Sequence, residues 1–237
     1  MSITEYTTLS RQLGLSREMQ MIANNIANAA TTGYRQQGVV FSEYVRQTDD
    51  SGSVAMSAAH VRNTSFEQGA LTRTGGQLDL AIEGDGFFLI QTPGGERLTR
   101  NGAFAVSAQG DLVTQDGYAV LDAGGAPVFV PPDASDLAFA QDGTMSSKGT
   151  PIGQVGIVQP VDQGAMVREG GVMFRADAGY EPAETPRVMQ GFVENSNVDP
   201  ILQIARMIEV QRAYEMGQSF LQREDERVRA AIKSMIR

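Results

Sequence analysis

The chain contains no cysteine and no tryptophan, and its only histidine is His60. Without thiols there are no disulfides, thiolate nucleophiles or thiolate metal ligands. A single histidine excludes a histidine metal cluster, and it leaves the serines without the nearby base that a hydrolase triad needs. We therefore expect no metal, no cofactor and no catalytic residues, and we interpret His60 as a surface or edge residue of an extended segment.

Long hydrophobic runs are also missing. No stretch approaches eighteen consecutive apolar residues, so no membrane insertion is predicted. The beginning, Met1-Ser2-Ile3, has neither a basic start nor an apolar run, which argues against a conventional secretory signal. Apolar residues still make up 41% of the 237 residues, enough for one large domain or two modest ones.

Positive charge is scarce, with 19 Lys and Arg against 28 Asp and Glu and a net charge of −9. The imbalance lies in the centre, because residues 1–45 sum to zero and residues 201–237 to +2, which leaves −11 between them. A phosphate backbone would be repelled, so nucleic-acid binding is not expected. A solvated outer surface is the ordinary interpretation of such acidity.

Heptad spacing marks both ends of the chain. Near the N-terminus apolar residues recur at intervals of four, three and four, and near the C-terminus one column repeats every seven residues. These positions are Leu15, Met19, Ile22 and Ile26, and then Met207, Tyr214, Leu221, Val228 and Met235. The spacing predicts coiled-coil seams on helices over residues 3–29 and 200–236. Because a seam must be buried against another helix, the pattern favours assembly.

The second column of the C-terminal seam is poor in apolar residues and consists of Ile204, Gln211, Gln218, Asp225 and Ile232. We infer that several partners each cover part of this helix, with Gly217 permitting close approach. Asp199-Pro200 predicts an N-cap followed by proline at the first helical position. The first helix is predicted to stop near Thr31-Thr32-Gly33, where glycine can adopt positive φ.

Turn-forming pairs divide the centre into short segments, from Gly84-Asp85-Gly86 to Lys148-Gly149, at intervals of eight to twelve residues. This regular spacing of turns predicts an antiparallel all-β domain of hairpins over residues 76–190. Residues 36–75 are predicted to be a linker or extended segment, in which Phe41, Tyr44 and Val45 fit a short helix or a strand equally well. Asp49-Asp50-Ser51-Gly52-Ser53 has the composition of an exposed linker.

The predicted fold class is therefore α+β. Residues 1–35 and 191–237 would form one helical assembly domain, with the terminal helices as a coiled-coil-like pair. Glu83 and Asp85 could suggest sugar hydrolysis, but the Asp-Gly turn explains them fully. A β-domain hydrolase and a β-domain adhesin or scaffold with coiled-coil ends stay open as alternatives.

Several motifs carry a resemblance to a known family. Residues 23–28, Ala-Asn-Asn-Ile-Ala-Asn, are followed by Thr31-Thr32-Gly33-Tyr34-Arg35, which resembles the N-terminal signature of bacterial flagellar rod and hook proteins. The other motifs follow in the family's order: residues 68–75, 78–88, 99–102, 194–198 and 207–215. The modest length and single β-domain are most similar to the proximal-rod type. The distal-rod type is close, although it usually has a longer segment after the first helix. Leu98 stands where an aromatic residue is common in the family.

The resemblance implies a non-enzymatic structural subunit of the periplasmic flagellar rod, which transmits torque. Its terminal helices would build an inner tube, with the β-domains outside. The implied partners are other copies, neighbouring rod subunits and the flagellar type III export apparatus. Before assembly the terminal helices would be loosely folded. The predicted assembly interface consists of Leu15, Met19, Ile22, Asn24, Asn25, Ile26, Asn28, Ile204, Met207, Tyr214, Leu221, Val228 and Met235.

The three asparagines of this set are unusual because asparagine costs about half a kcal/mol relative to alanine inside a helix. They fit either solvated positions near the helix end or amides that hydrogen-bond between subunits. We expect the second role for at least one of Asn24, Asn25 and Asn28.

Overall fold

The computed structural model describes residues 3–48 and 52–235. Helix α1 is Ile3–Ala27 and helix α2 is Pro200–Met235, with antiparallel strands between them. The chain divides into two compact units. Unit 1 contains residues 1–29, 36–66 and 198–237, and unit 2 contains residues 30–35 and 67–197. The predicted α+β class, with helical ends and a β-rich centre, is confirmed.

The strands that the structure shows in the described residues are short, except for the first two. They are β1 Gln37–Thr48, β2 Gly52–Thr64, β3 Leu71–Arg73, β4 Leu80–Ile82, β5 Phe87–Thr92, β6 Gly95–Thr99, β7 Phe104–Val106, β8 Leu112–Thr114, β9 Ala119–Val120, β10 Leu137–Phe139, β11 Thr144–Ser147, β12 Thr150–Gln154, β13 Ile157–Pro160, β14 Met166–Glu169, β15 Met173–Ala176, β16 Tyr180–Pro182, β17 Val188–Gln190 and β18 Phe192–Glu194.

Unit 1 combines the two helices with the β1–β2 hairpin, and α1 contacts both the hairpin and α2. The segment that fits helix or strand equally well by sequence is therefore strand. Its register shifts where Val40 pairs with Val61 and Phe41 with Ala59, so His60 is the extra residue of a β-bulge. In the predicted linker, residues 49–51 lie outside the described residues, while Gly52 and Ser53 already belong to β2.

The start of α2 is as predicted. The Asp199 Oδ1 atom accepts hydrogen bonds from the backbone N–H of Ile201 at 2.9 Å and of Leu202 at 3.1 Å. This is an N-cap, and Pro200 occupies the first helical position, where its missing N–H costs nothing. The predicted end of α2 near residue 236 lies just outside the described residues. Helix α1 ends two residues earlier than predicted, where the Ala29 N–H bonds the Ile26 carbonyl at 3.2 Å.

Unit 2 is built around β5, which lies inside a sheet of order β14-β15-β6-β5-β9-β8-β7 and also pairs with β13. Its core consists of apolar side chains from many strands and turns: Leu80, Ile82, Phe88, Ile90, Phe104, Leu112, Val120, Val128, Val130, Met145, Val155, Ile157 and Val188. The rings of Phe88 and Phe104 meet edge to face with centroids 5.1 Å apart. Phe88 and Ile90 lie on β5, so the sheet's central strand supplies part of this core.

The predicted turn chemistry of unit 2 is confirmed at Lys148-Gly149, which joins β11 to β12. Both residues have positive φ, 50° and 80°. This backbone geometry matches the right-handed twist of the paired strands, and a lysine in it is uncommon.

Candidate assembly interface

The face that α2 presents to α1 repeats at intervals of four and three residues. Its half-buried column contains Met207, Tyr214 and Leu221, which are residues of the predicted seam. The second column lies one residue before the predicted one and consists of Gln203, Val210 and Gly217 instead of Ile204, Gln211 and Gln218. Ile204, a residue of the predicted assembly interface, is half exposed within the chain, and its role in assembly stays a prediction.

Asn25 is the polar centre of this interface and is 1% exposed. Its Nδ2 atom donates to the Gln37 carbonyl at 2.8 Å and to Gln203 Oε1 at 3.2 Å, and its Oδ1 atom accepts from the Gln37 N–H at 2.9 Å. One amide therefore joins α1, β1 and α2 within the chain. Because a buried amide without partners is costly, these bonds explain asparagine at this helical position.

The other two asparagines lie differently. Asn24 is exposed, and Asn28 is half-buried and donates its side-chain Nδ2 to the Asn24 carbonyl at 2.8 Å. The same carbonyl also accepts the backbone N–H of Asn28 at 3.1 Å, so the side-chain bond adds to the last turn of α1. The expectation that at least one of the three asparagines bonds between subunits stays a prediction.

One ion pair further along the same interface joins the helices. Arg206 donates from Nε to Glu18 Oε1 at 2.9 Å and also contacts Glu209 at 3.1 Å. Hydrogen bonding to Glu18 raises the pKa of Arg206 above its ordinary value. Glu18 is 11% exposed and Arg206 is 54% exposed, so the carboxylate is shielded while the cation reaches solvent. No sequence pattern indicates this pair, because its members are 188 positions apart.

The helices approach closely where Gln12 lies beside Gly217. A Cβ atom on Gly217 would lie 3.2 Å from Gln12 Nε2, so a larger residue there would require the Gln12 side chain to shift slightly. Gln12 Nε2 is buried and has no hydrogen-bond partner among the described residues. A cavity of about 310 Å³ opens here, lined by Thr8, Arg11, Gln12, Leu15, Ala213, Met216, Gly217 and Phe220.

The remaining predicted residues of α1 lie on or near this face. Ile22 is buried, and Leu15, Met19 and Ile26 are half-buried. At the far end of α2, Val228 and Met235 are exposed. The helices also carry exposed apolar side chains outside the predicted set: Leu9, Leu13, Ile201, Leu202, Ile208, Met216, Phe220 and Ile232. Helix surfaces this apolar are typical of interaction sites.

Unit 2 contains a buried charge cluster that the sequence motifs did not explain. Glu194 binds Arg35 at 2.8 Å through Oε1 and Arg100 at 3.0 Å through Oε2, and all three side chains are nearly fully buried. Glu194 Oε1 also accepts from the Gly69 N–H at 3.1 Å. The Gly33 N–H donates to the Glu194 carbonyl at 2.7 Å. The segment that follows α1 is thereby fixed to the segment that precedes α2.

The electrostatics of the cluster follow from burial. Loss of water lowers the pKa of Arg35 to about 10, an effect that the Glu194 carboxylate opposes. Burial likewise lowers the pKa of Arg100, which is also held by the Ile82 and Gly84 carbonyls at 3.2 and 2.6 Å. Arg168 lies with its guanidinium 4.7 Å from the Tyr34 ring centroid. Tyr34 and Arg35 belong to the N-terminal motif and Glu194 to the C-terminal one, so the two motifs meet here.

In the part of the chain that the structure describes, no helix has the length and hydropathy needed to cross a membrane. No group of three or more potential ligands for a metal is present among these residues. Glu83, one of the two carboxylates considered for hydrolysis, lies opposite Arg187 at 3.6 Å, and both side chains are more than half exposed.

Comparison with known families accounts for both ends and the centre of the chain. Residues 6–35 match the family described as "Flagella basal body rod protein". Residues 81–147 match the "Flagellar hook protein FlgE/F/G D1 domain", and residues 189–234 match the "Flagellar basal body rod FlgEFG protein C-terminal" family.

Curated relatives extend over nearly the full length. The flagellar basal-body rod protein FlgF of Caulobacter vibrioides is 37% identical and covers 97% of this chain and 96% of its own length. The chain belongs to the flagellar basal-body rod protein family. FlgF of Mesorhizobium japonicum is 36% identical over 97% of this chain and 96% of its own length. FlgG of Bacillus subtilis is 32% identical over 93% of this chain and 94% of its own length.

The family assignment identifies the kind of protein to which the described interface and charge cluster belong. The chain is a basal-body rod protein of a bacterial flagellum, and its relatives support the FlgF type above the FlgG type. The matched segments 6–35 and 189–234 contain the residues of the α1–α2 interface and most of the Glu194 cluster. Residues such as Gln37, Gln203 and Gln12 were missed by sequence reasoning because a polar side chain in a seam gives no periodic apolar signal.

Proposed function

We propose that this chain is a non-enzymatic subunit of the proximal part of the periplasmic rod. In this proposal α1 and α2 form a coiled-coil-like pair, and residues 1–35 and 191–237 act as the axial-assembly domain. Copies and neighbouring rod subunits contact one another through these helices and build a tubular stack that transmits torque. Residues 76–190 form the outer β-rich domain, and export uses the flagellar type III apparatus.

The observation that carries the proposal is the apolar surface that the helix pair leaves exposed. α2 uses one face for α1, yet Ile201, Ile204 and Ile208 lie on another face and are exposed. A helix that is apolar on more than one face is stable in water only if other elements cover it. Each apolar side chain fully buried on assembly contributes about 1.5–3 kcal/mol before entropy is deducted.

The charge of the two compact units supports a similar division of roles, although the helical unit also contains residues 36–66 and lacks residues 30–35 and 191–197. The unit that contains the helices has eleven acidic and eleven basic residues, whereas the β-rich unit has seventeen acidic and eight basic residues. Neutral units pack against copies of themselves without net repulsion, while an acidic outer surface keeps assembled particles soluble. The predicted assembly residues, including Asn24 and Asn28, therefore lie on the unit that is suited to contact between subunits.

Assignment to the proximal rod rests on similarity to FlgF. Relatives with that name match 97% of the chain at 36–37% identity, against 32% over 93% for the FlgG of B. subtilis. The distal-rod type is the alternative.

A complementation experiment distinguishes the two types. In the bacterium that encodes this chain, deletion of its gene is expected to abolish motility. FlgF of C. vibrioides is expected to restore motility, and FlgG of the same organism serves as the matched control. Electron cryo-microscopy of basal bodies that carry a tagged copy is expected to place the tag at the proximal end. Rescue by FlgG alone, or complete basal bodies without the chain, would overturn the proposal.

A further inference from the structure

The two helices run antiparallel and differ in length. Asn25 lies opposite Gln203, Glu18 opposite Arg206 and Gln12 opposite Gly217. Each step toward the start of α1 is therefore a step toward the end of α2. By this register, and with equal rise in both helices, the first described residue of α1 lies level with about residue 226 of α2. The last nine or so residues of α2 have no described α1 residue opposite them; we term this part the overhang.

The overhang carries the same face that α1 covers earlier in the helix. Val228 and Met235 continue the four-three spacing that begins at Gln203 and Met207, and Ile232 lies between them, about one helical turn from each. Val228 is 40%, Ile232 52% and Met235 86% exposed, whereas Val210 on the covered part of this face is 2% exposed. The overhang therefore continues the face of α2 that contacts α1, but no described residue of α1 lies opposite it.

A matching surface lies on α1. Leu9 and Leu13 are one turn apart, and both are largely exposed. They lie away from the face that α1 presents to α2, which contains Gln12, Glu18 and Asn25. A pair of leucines at this spacing is suited to pack into the holes of a heptad face.

We propose that the overhang of one copy is covered by α1 of a second copy, through Leu9 and Leu13. This inference rests on the proposed function and specifies one contact within the rod. The two surfaces are different, so the contact is head to tail: each copy in a row keeps one free overhang and one free α1 surface. The zero net charge of the unit that carries both surfaces permits such contact between identical chains.

Cross-linking tests the proposal directly, because the chain has no cysteine and every thiol can be placed. Two tagged copies, one Leu13→Cys and the other Ile232→Cys, are expressed together, and basal bodies are isolated. A short bis-maleimide is used because a disulfide would require a narrow Cα–Cα distance. The matched control pairs Leu13→Cys with Ile208→Cys, since Ile208 is exposed to a similar degree, 45%, on another face of α2.

The expected result is a species that carries both tags, about tenfold stronger for the Ile232 pair than for the Ile208 pair, because held thiols react at high effective concentration. A copy with both Leu13→Cys and Ile232→Cys is expected to give a ladder of dimers, trimers and larger species. Equal yields in the two pairs, no cross-link, or a ladder that stops at the dimer would overturn the inference. If both tags are absent from basal bodies, the proposed function fails instead.

Discussion

Glu194 and Arg35 are 159 positions apart in the sequence, yet their side chains meet at 2.8 Å with 1% of each exposed. Arg100 binds the second oxygen of the same carboxylate at 3.0 Å. One buried anion therefore compensates two buried cations. Such a cluster is stable only while all its members are present, because a guanidinium left buried without a counter-charge is strongly unfavourable.

Replacing Glu194 with glutamine keeps the shape of the side chain and removes its charge. We expect Glu194→Gln to lower the free energy of unfolding by about 3–5 kcal/mol, because Arg35 and Arg100 would lose their anion. Urea unfolding followed by circular dichroism measures the change. Glu169→Gln is the matched control, because Glu169 also binds two arginines but is 31% exposed; its loss is expected to cost about 1 kcal/mol or less. Equal costs for the two variants would contradict this account of the cluster.

Asn25 and Asn24 are adjacent but differ in environment, which allows a matched comparison. Asn25→Ala removes three hydrogen bonds and leaves the Gln37 N–H and carbonyl buried without this partner. We expect a loss of about 1–3 kcal/mol in the free energy of unfolding. Asn24→Ala at the exposed neighbouring position is expected to be neutral or slightly stabilising, by about half a kcal/mol from helix propensity. Thermal unfolding of both variants decides; an unchanged midpoint for Asn25→Ala would show that its amide bonds add no stability.

Substitutions at Val210 and Ile204 distinguish an effect on folding from an effect on assembly. Val210 is buried against α1, so we expect Val210→Ala to lower the free energy of unfolding by about 2 kcal/mol. Ile204 is half exposed, so Ile204→Asp is expected to leave the stability of the isolated chain nearly unchanged and to reduce its incorporation into basal bodies. Denaturant unfolding gives the first quantity and quantitative immunoblotting of basal bodies gives the second. Normal incorporation of Ile204→Asp would remove Ile204 from the assembly interface.

The phenol of Tyr180 is predicted to lose its proton at a higher pH than an ordinary tyrosine. Burial, and then its hydrogen bond to Glu96, raise the pKa of Tyr180 to about 12. The folded state holds this proton after the unfolded state has released it near pH 10. Tyr180 therefore adds stability below pH 10 that is lost as the pH rises to about 12. Burial also raises the pKa of Tyr34. Absorbance at alkaline pH is therefore expected to show a late phase that loses the amplitude of one phenol in Tyr180→Phe, with Tyr118→Phe as the control. A late phase of unchanged amplitude in Tyr180→Phe would contradict the prediction.

The sequence alone determined the features that depend on local spacing. The two helices, the Asp199 N-cap, the turn at Lys148-Gly149 and the column at Met207, Tyr214 and Leu221 were all predictable, because periodicity and turn chemistry act over a few residues. The family motifs could also be recognised in the sequence, although the physical role of their residues could not be predicted from it. Residues 37–64 could not be assigned, since apolar residues such as Phe41 and Tyr44 fit both a helix and a strand.

Tertiary structure decided which distant groups meet. The choice of Gln203, Val210 and Gly217 over Ile204, Gln211 and Gln218 depends on the angle at which α1 crosses α2, and neighbouring columns look alike in a heptad pattern. The bonds from Asn25 to Gln203 and from Arg35 to Glu194 span 178 and 159 positions. Hydrophobic periodicity carries no information about such polar partners, because their pairing is set only when burial removes water from both groups.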